Sequence, residues 1–277
     1  MKILAPDLYK IILTNKNMRT SSRNLYIIKG SERSLMIDTS WNVPECLSEM
    51  EQALNELSID CRDLDIFVTH NHVDHSGYVS FFTDRGARAF MNPVEIAASS
   101  DRYHRFYEDN DMRRSYTGEV GVTKERTPDA WQEIKAGADQ VILGLVPIVI
   151  TSGKDQHLLT EYFASLRELA SDYSGYRFLP GHYGEFTEIK GETDRIIAGY
   201  GERCTQLRQA LAESNRPMTL LELDQALYIQ RMQTYRYSFL FSYLHTWPKL
   251  FSCLDWLFET GVIDRTEQDG VLYWSLR

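Results

Sequence analysis

Between Thr69 and Gly77 the chain reads Thr-His-Asn-His-Val-Asp-His-Ser-Gly, directly after the apolar run Asp65-Ile66-Phe67-Val68. Four metal-capable side chains, His70, His72, Asp74 and His75, fall within six consecutive residues. A strand that delivers such a cluster to its C-terminal tip gives a metal site a rigid support. In an extended turn His70 and His72 point the same way and can grip one ion. Asp74 and His75 leave as the chain bends into a helix and would face a second ion. Imidazole and carboxylate ligands without thiolate suit zinc, with manganese or iron as further choices. Histidines also occur in ordinary loops and caps, but three of the chain's seven crowd into this one stretch.

The pattern H-x-H-x-D-H after an apolar strand resembles the signature of the metallo-β-lactamase superfamily. The resemblance implies an α/β (α+β) fold, an αββα sandwich with a one- or two-ion site, zinc foremost, at the edge between its sheets. It extends to Leu35-Met36-Ile37-Asp38-Thr39-Ser40, which looks like the family's L-I-D-T-G strand with Ser40 where glycine is usual. By that likeness Asp38 anchors the site from behind; the plainer reading is a turn aspartate. Tyr176-Arg177-Phe178-Leu179-Pro180-Gly181-His182 reads as a short strand ending in Pro-Gly-His. The family's final histidine completes the second ion's ligand set, so His182 joins Asp74 and His75. The run Ala138-Asp139-Gln140-Val141-Ile142-Leu143 matches the strand whose aspartate bridges two ions, which makes Asp139 the bridging candidate. One element of the pattern is absent: no histidine lies between His104 and His157, where the family carries a third one for the first ion.

Composition narrows the rest. At 277 residues the chain can hold one large domain with a smaller appendage. The formal net charge of −9 argues against a general nucleic-acid binder, which needs cationic surface for phosphates. The four cysteines, Cys46, Cys61, Cys204 and Cys253, are widely spaced and read as reduced thiols. The longest apolar run, Val141 to Ile150, is too short to span a bilayer. The start Met-Lys-Ile-Leu-Ala-Pro has no signal-peptide core, so the expectation is a cytoplasmic protein without membrane contact.

In chain order, β-rich runs occupy 9–13, 25–28 and 35–38, with a hairpin turn at Lys29-Gly30-Ser31-Glu32. Apolar spacing predicts helices at 44–57, 156–170, 189–213 and 220–229, and another from His75 to Phe82. Residues 94–117 mix aromatics with arginines, either as a lid over substrate or as a solvated helix. His104 and His157 lack ligand spacing, and His157 reads as a cap or surface residue. The expected division is a metallo-β-lactamase-like domain at 1–188 and a mainly helical one at 189–277. In the latter, helices precede a hairpin around Gln268-Asp269-Gly270, which resembles the winged-helix appendage of the superfamily's ribonuclease-like branch. The aromatics of 235–259 read as core, a pocket wall or a homodimer contact rather than as base-stacking platforms.

No G-x-S-x-G, Walker-type loop or G-x-G-x-x-G competes for the chemistry. The resemblance implies a hydrolase in which metal-activated water attacks a carbonyl or phosphoryl centre, with Asp74 both ligand and orienting acceptor. The acidic balance leans toward a small ester or thioester. A phosphodiesterase acting on RNA, and a metal-depleted binding module without hydrolase activity, are the two rivals.

Overall fold

The computed structural model describes residues 1–15, 22–70, 72–93, 95–96, 121–122, 125–130, 132, 157–231, 242 and 246–277, the side chains of 229–231 aside. Asn71, His104, Asp139 and nearly all of 94–117 lie outside the described residues.

The chain divides into two compact units, and among the described residues the first takes in 1–96 and 177–186. Its centre is a six-stranded sheet in simple sequence order: β1 (Lys2–Ala5), β2 (Leu8–Thr14), β3 (Ser22–Ile28), β4 (Ser34–Ile37), β5 (Leu64–Val68) and β6 (Arg88–Met91). The first four pair antiparallel; β4, β5 and β6 run parallel. Parallel neighbours need a crossover, and α1 (Pro44–Glu56) supplies it between β4 and β5. The crossover between β5 and β6 carries two short helices, α2 (Val73–Ser76) and α3 (Val79–Thr83).

Alternation along the strands selects the face that is buried. Ile11 and Leu13, Leu25 and Ile27, Met36, then Leu64, Ile66 and Val68 form one core with Cys46, Met50, Ala53 and Leu54 of α1. Pro44 opens α1 at the position where its missing N–H costs nothing. The helix expected to begin over His75 to Phe82 is realised as these two short ones, broken at Gly77-Tyr78. A β-carbon on Gly77 would stand 2.6 Å from the Ser40 carbonyl oxygen and 2.7 Å from that of Val73. Only glycine lets α2 settle against the segment that follows β4. The strand expected at Tyr176–Leu179 shrinks to one bridge between Phe178 and Phe186, whose rings stack at 5.1 Å. Pro180 and Gly181 end the pairing there, and the hairpin tip between the two phenylalanines carries His182.

The second unit holds α4 (Leu158–Asp172), α5 (Ile189–Ser214), α6 (Leu220–Arg231), α7 (Trp247–Glu259) and the hairpin of β7 (Ile263–Gln268) and β8 (Val271–Leu276). Its own core is built from Leu159, Phe163, Leu207, Leu211, Leu223, Trp247, Phe251, Leu254 and Trp274, among others. By contact, α4 groups with the C-terminal helices, and Arg177–Phe186 groups with the first unit. Helices followed by a hairpin are present in the expected order. His157 occupies the N-cap of α4 with a left-handed backbone and pairs with Glu259 at 2.7 Å. Among the described residues no helix is long and apolar enough to cross a membrane.

Ile66 is fully buried in β5, between β4 and β6. Ile66→Ala is expected to cost about 2–5 kcal/mol, read as a lower urea midpoint at unchanged slope.

Candidate metal centre

The carboxyl ends of β4 and β5 and the amino end of β3 meet at one edge of the sheet, and the site forms there. Strand β4 is followed directly by Asp38, a buried residue with φ +64. Aspartate tolerates this left-handed turn better than most side chains, and it tucks the carboxylate under the end of β5. Asp38 Oδ1 accepts from the Thr69 backbone N–H at 2.7 Å and from Thr69 Oγ1 at 2.9 Å. Its Oδ2 accepts from Arg23 Nη2 at 2.7 Å and from His75 Nδ1 at 2.9 Å. Burial alone would push the Asp38 carboxyl up, but the bonds from His75 and Thr69 and the Arg23 charge win and hold it below the usual range.

This one carboxylate fixes the protons of two histidines. Thr69 has one hydroxyl proton, which goes to Asp38, so at 3.0 Å its oxygen accepts from His70 Nδ1. His70 is left with a bare Nε2, which lies 2.9 Å from His72 Nδ1. His75 Nδ1 likewise donates to Asp38, which leaves its Nε2 bare. Burial first, then the neighbouring imidazoles of His75 and His72, push the His70 pKa down to about 4. Burial lowers His75 as well. Neutral imidazoles with a free lone pair are the form in which histidine binds a metal.

Helix α2 is stapled to the same edge. Thr39 N and Oγ1 both donate to the His75 carbonyl, at 2.7 and 3.0 Å, and Tyr78 N donates to Thr39 Oγ1 at 3.2 Å. Strand β3 secures the hairpin tip. Asn24 N donates to Gly181 O, and Asn24 Nδ2 to the carbonyls of Pro180 and Tyr183, each at 2.8 Å. Tyr26 Oη donates to Pro180 O at 2.9 Å. His182 Nδ1 donates to Ser22 O at 3.0 Å, so its Nε2 turns to Asp74 Oδ2 at 3.1 Å. His75 Nε2 lies 3.4 Å from the same oxygen. Asp74 would be raised by burial, but His182, His75 and Arg23 carry its pKa down to about 2, and the bond to Asp74 raises His182.

Ligand atoms of Asp74, His75 and His182 all lie within 4.8 Å of one another, the spacing a metal ion needs, and no other such group of three occurs among the described residues. The donor set fits: a carboxylate and two imidazoles, each with its Nδ1 engaged behind it, match a three-ligand catalytic site. His70 stands beside this group, 3.8 Å from the His75 ring centroid and 4.4 Å from that of His72. Five of the six ligands named from sequence are thus brought to one sheet edge, and Asp139 lies outside the described residues. Sequence reading missed Arg23, Asn24, Thr39 and Thr69. Arg23 left a readable signal: it shares the inward alternation of Leu25 and Ile27, where a charge is out of place.

Among solved structures, a metallo-β-lactamase family protein from Thermus thermophilus superimposes with a TM-score of 0.72 at 19% identity, over 99% of this chain and 100% of that one. A β-lactamase domain protein from Burkholderia ambifaria gives 0.71 at 14% identity, over 99% and 93%. This is the metallo-β-lactamase fold. No protein-family model matches the sequence, and neither does any curated protein. The metallo-β-lactamase likeness expected from H-x-H-x-D-H therefore rests on three-dimensional form at an identity too low to carry activity with it.

Asp38→Asn should destabilise the fold by about 3–5 kcal/mol, because it leaves the Arg23 charge buried without its partner. It should also weaken metal binding about 10–100-fold by loosening His75 and His70, as a chelator competition would read. A second expectation concerns ion-free protein. The folded state lowers the His70 pKa from 6.5 to about 4, so the unfolded chain binds more protons between those values. Stability contributed by neutral His70 is full above about pH 6.5 and is lost as the pH falls toward 4. Urea titrations at pH 7, 5.5 and 4 should show that loss, and His70→Gln should flatten it.

Proposed function

We propose that this protein is a metal-dependent hydrolase of the metallo-β-lactamase superfamily acting on a small ester or thioester. The observation that carries the reading is the convergence of Asp74, His75 and His182 at the sheet edge, with each histidine's other nitrogen already engaged. Asp74, His75 and His182 would hold one ion, zinc by donor type with manganese or iron as the other choices, and His70 and His72 would contribute to a second. A divalent ion there supplies Lewis acidity, which lowers the pKa of a water and stabilises charge developing on a substrate oxygen.

The chain's own residues prepare that chemistry. Asp74, with a pKa near 2, stays ionised at neutral pH and can orient a proton donor by accepting from it. His70, with a pKa near 4, keeps a bare Nε2. Asp38 and the Ser22 carbonyl lock the rings of His75 and His182, so no rotation is needed when substrate arrives. The acidic net charge favours a small substrate over a polyanion such as RNA. A binding module without turnover is the second reading, favoured by the lack of any histidine between His104 and His157 to serve His70 and His72.

Metal content per chain and metal-dependent turnover of thioester, ester and phosphodiester probes test this directly. At least one ion per chain, ester or thioester hydrolysis abolished by chelator, and a loss of about 100-fold or more in kcat/KM for His182→Ala are expected. Bound ion without turnover of any probe would instead select the binding module.

A further inference from the structure

Arg23 is fully buried in the first unit, in a strand whose neighbouring inward positions are leucine and isoleucine. Two of its nitrogens have ordinary structural work: Nη2 donates to Asp38 at 2.7 Å and Nε to the Thr39 carbonyl at 3.1 Å. The third, Nη1, is buried with no hydrogen-bond partner. It stands 3.7 Å from Asp74 Oδ2, the oxygen on which the Nε2 atoms of His75 and His182 converge. Gly181 leaves room for the His75 ring, which a β-carbon there would crowd at 3.2 Å, and Nη1 lies beside the same spot at an ordinary contact distance of 3.6 Å. A lysine would suffice to neutralise Asp38, and only a guanidinium places a further nitrogen 3.7 Å from Asp74 Oδ2.

We propose that Arg23 is a positioning residue that weakens the Asp74–His75–His182 position for a divalent ion, keeping the ion exchangeable. The inference rests on the metal reading above. A cation bound at Asp74 Oδ2 must lie close to Nη1, and the two repel at a separation too short for solvent to screen. Nη1 also draws on the oxygen the ion would use. The Asp38 charge does not cancel this, because Asp38 is bonded to His75 Nδ1, on the opposite side of the ring from the Nε2 that faces Asp74. Arginine keeps its proton at every pH a protein survives, so the repulsion cannot be relieved by deprotonation, as it could be for lysine.

The test is the affinity of the full chain for Co2+ alone and for Zn2+ alone, by competition with a chromophoric chelator, in wild type, Arg23→Gln and Arg23→Lys, each checked for folding by circular dichroism. Arg23→Gln is expected to bind at least tenfold tighter and to release Co2+ more slowly, with Arg23→Lys between it and wild type. A residue that only held the fold would give weaker binding on substitution, so equal or weaker binding in folded variants overturns the proposal. Should Arg23→Gln fail to fold, Arg23→Lys decides alone, since it keeps the partner of Asp38 but withdraws the charge from Asp74. Ion bound by all forms with unchanged affinity sinks this inference and spares the metal reading. No ion bound by any folded form sinks both.

Discussion

Everything at the sheet edge depends on the buried carboxylate of Asp38. It closes the end of β4, caps the end of β5 through Thr69, holds the ring of His75 and neutralises Arg23 of β3. Three strands and a helix therefore share one acceptor group, and each bond to it is worth more because the others keep water out. The cost of burying a charge is offset only when every lone pair is used, and here four donors saturate the two oxygens. The left-handed backbone at Asp38 belongs to the same arrangement: the strain is kept because it aims the carboxylate where all four can reach.

The candidate ligands come together by two routes of different character. His70, His72, Asp74 and His75 are delivered locally, by the tip of β5 and the first turn of α2. His182 comes from a hairpin that owes its place to main-chain and amide bonds from β3. Tyr183, next to it, has a left-handed backbone and an 88% exposed ring. A tyrosine in that conformation persists only because Asn24 grips its carbonyl. The second unit keeps a core of its own and supplies none of the described residues of the site.

What the sequence disclosed followed from how local each signal is. The H-x-H-x-D-H run announces itself because spacing and residue type act within one turn of chain. The amphipathic helices α1, α4 and α5 were legible for the same reason. Strand β1 was missed because its four residues are mostly exposed and carry no alternation. The break at Gly77 was missed because its cause, the Ser40 carbonyl, is a tertiary neighbour. The partners of His182 were missed because Ser22, Asn24 and Tyr26 look like ordinary strand residues until the hairpin arrives. Asp38 was named by likeness, and its four bonds could not be foreseen from the strand that carries it. The winged-helix likeness of the C-terminal helices and hairpin remains a likeness of order.

The hairpin also sets a timetable. Asn24 and Pro180, which hold it together, stand 156 positions apart in the chain. Such a contact forms late, after the local strands and helices it joins. A chain growing from its N-terminus completes β1 to β6, with His70 to His75 already in place, long before residue 182 exists. An ion met at that stage would find only part of the proposed site and could leave again. His182 is the late-arriving member of the triad, fastened like a clasp only once synthesis has passed the hairpin, so under the proposed function metal loading would belong to the finished molecule.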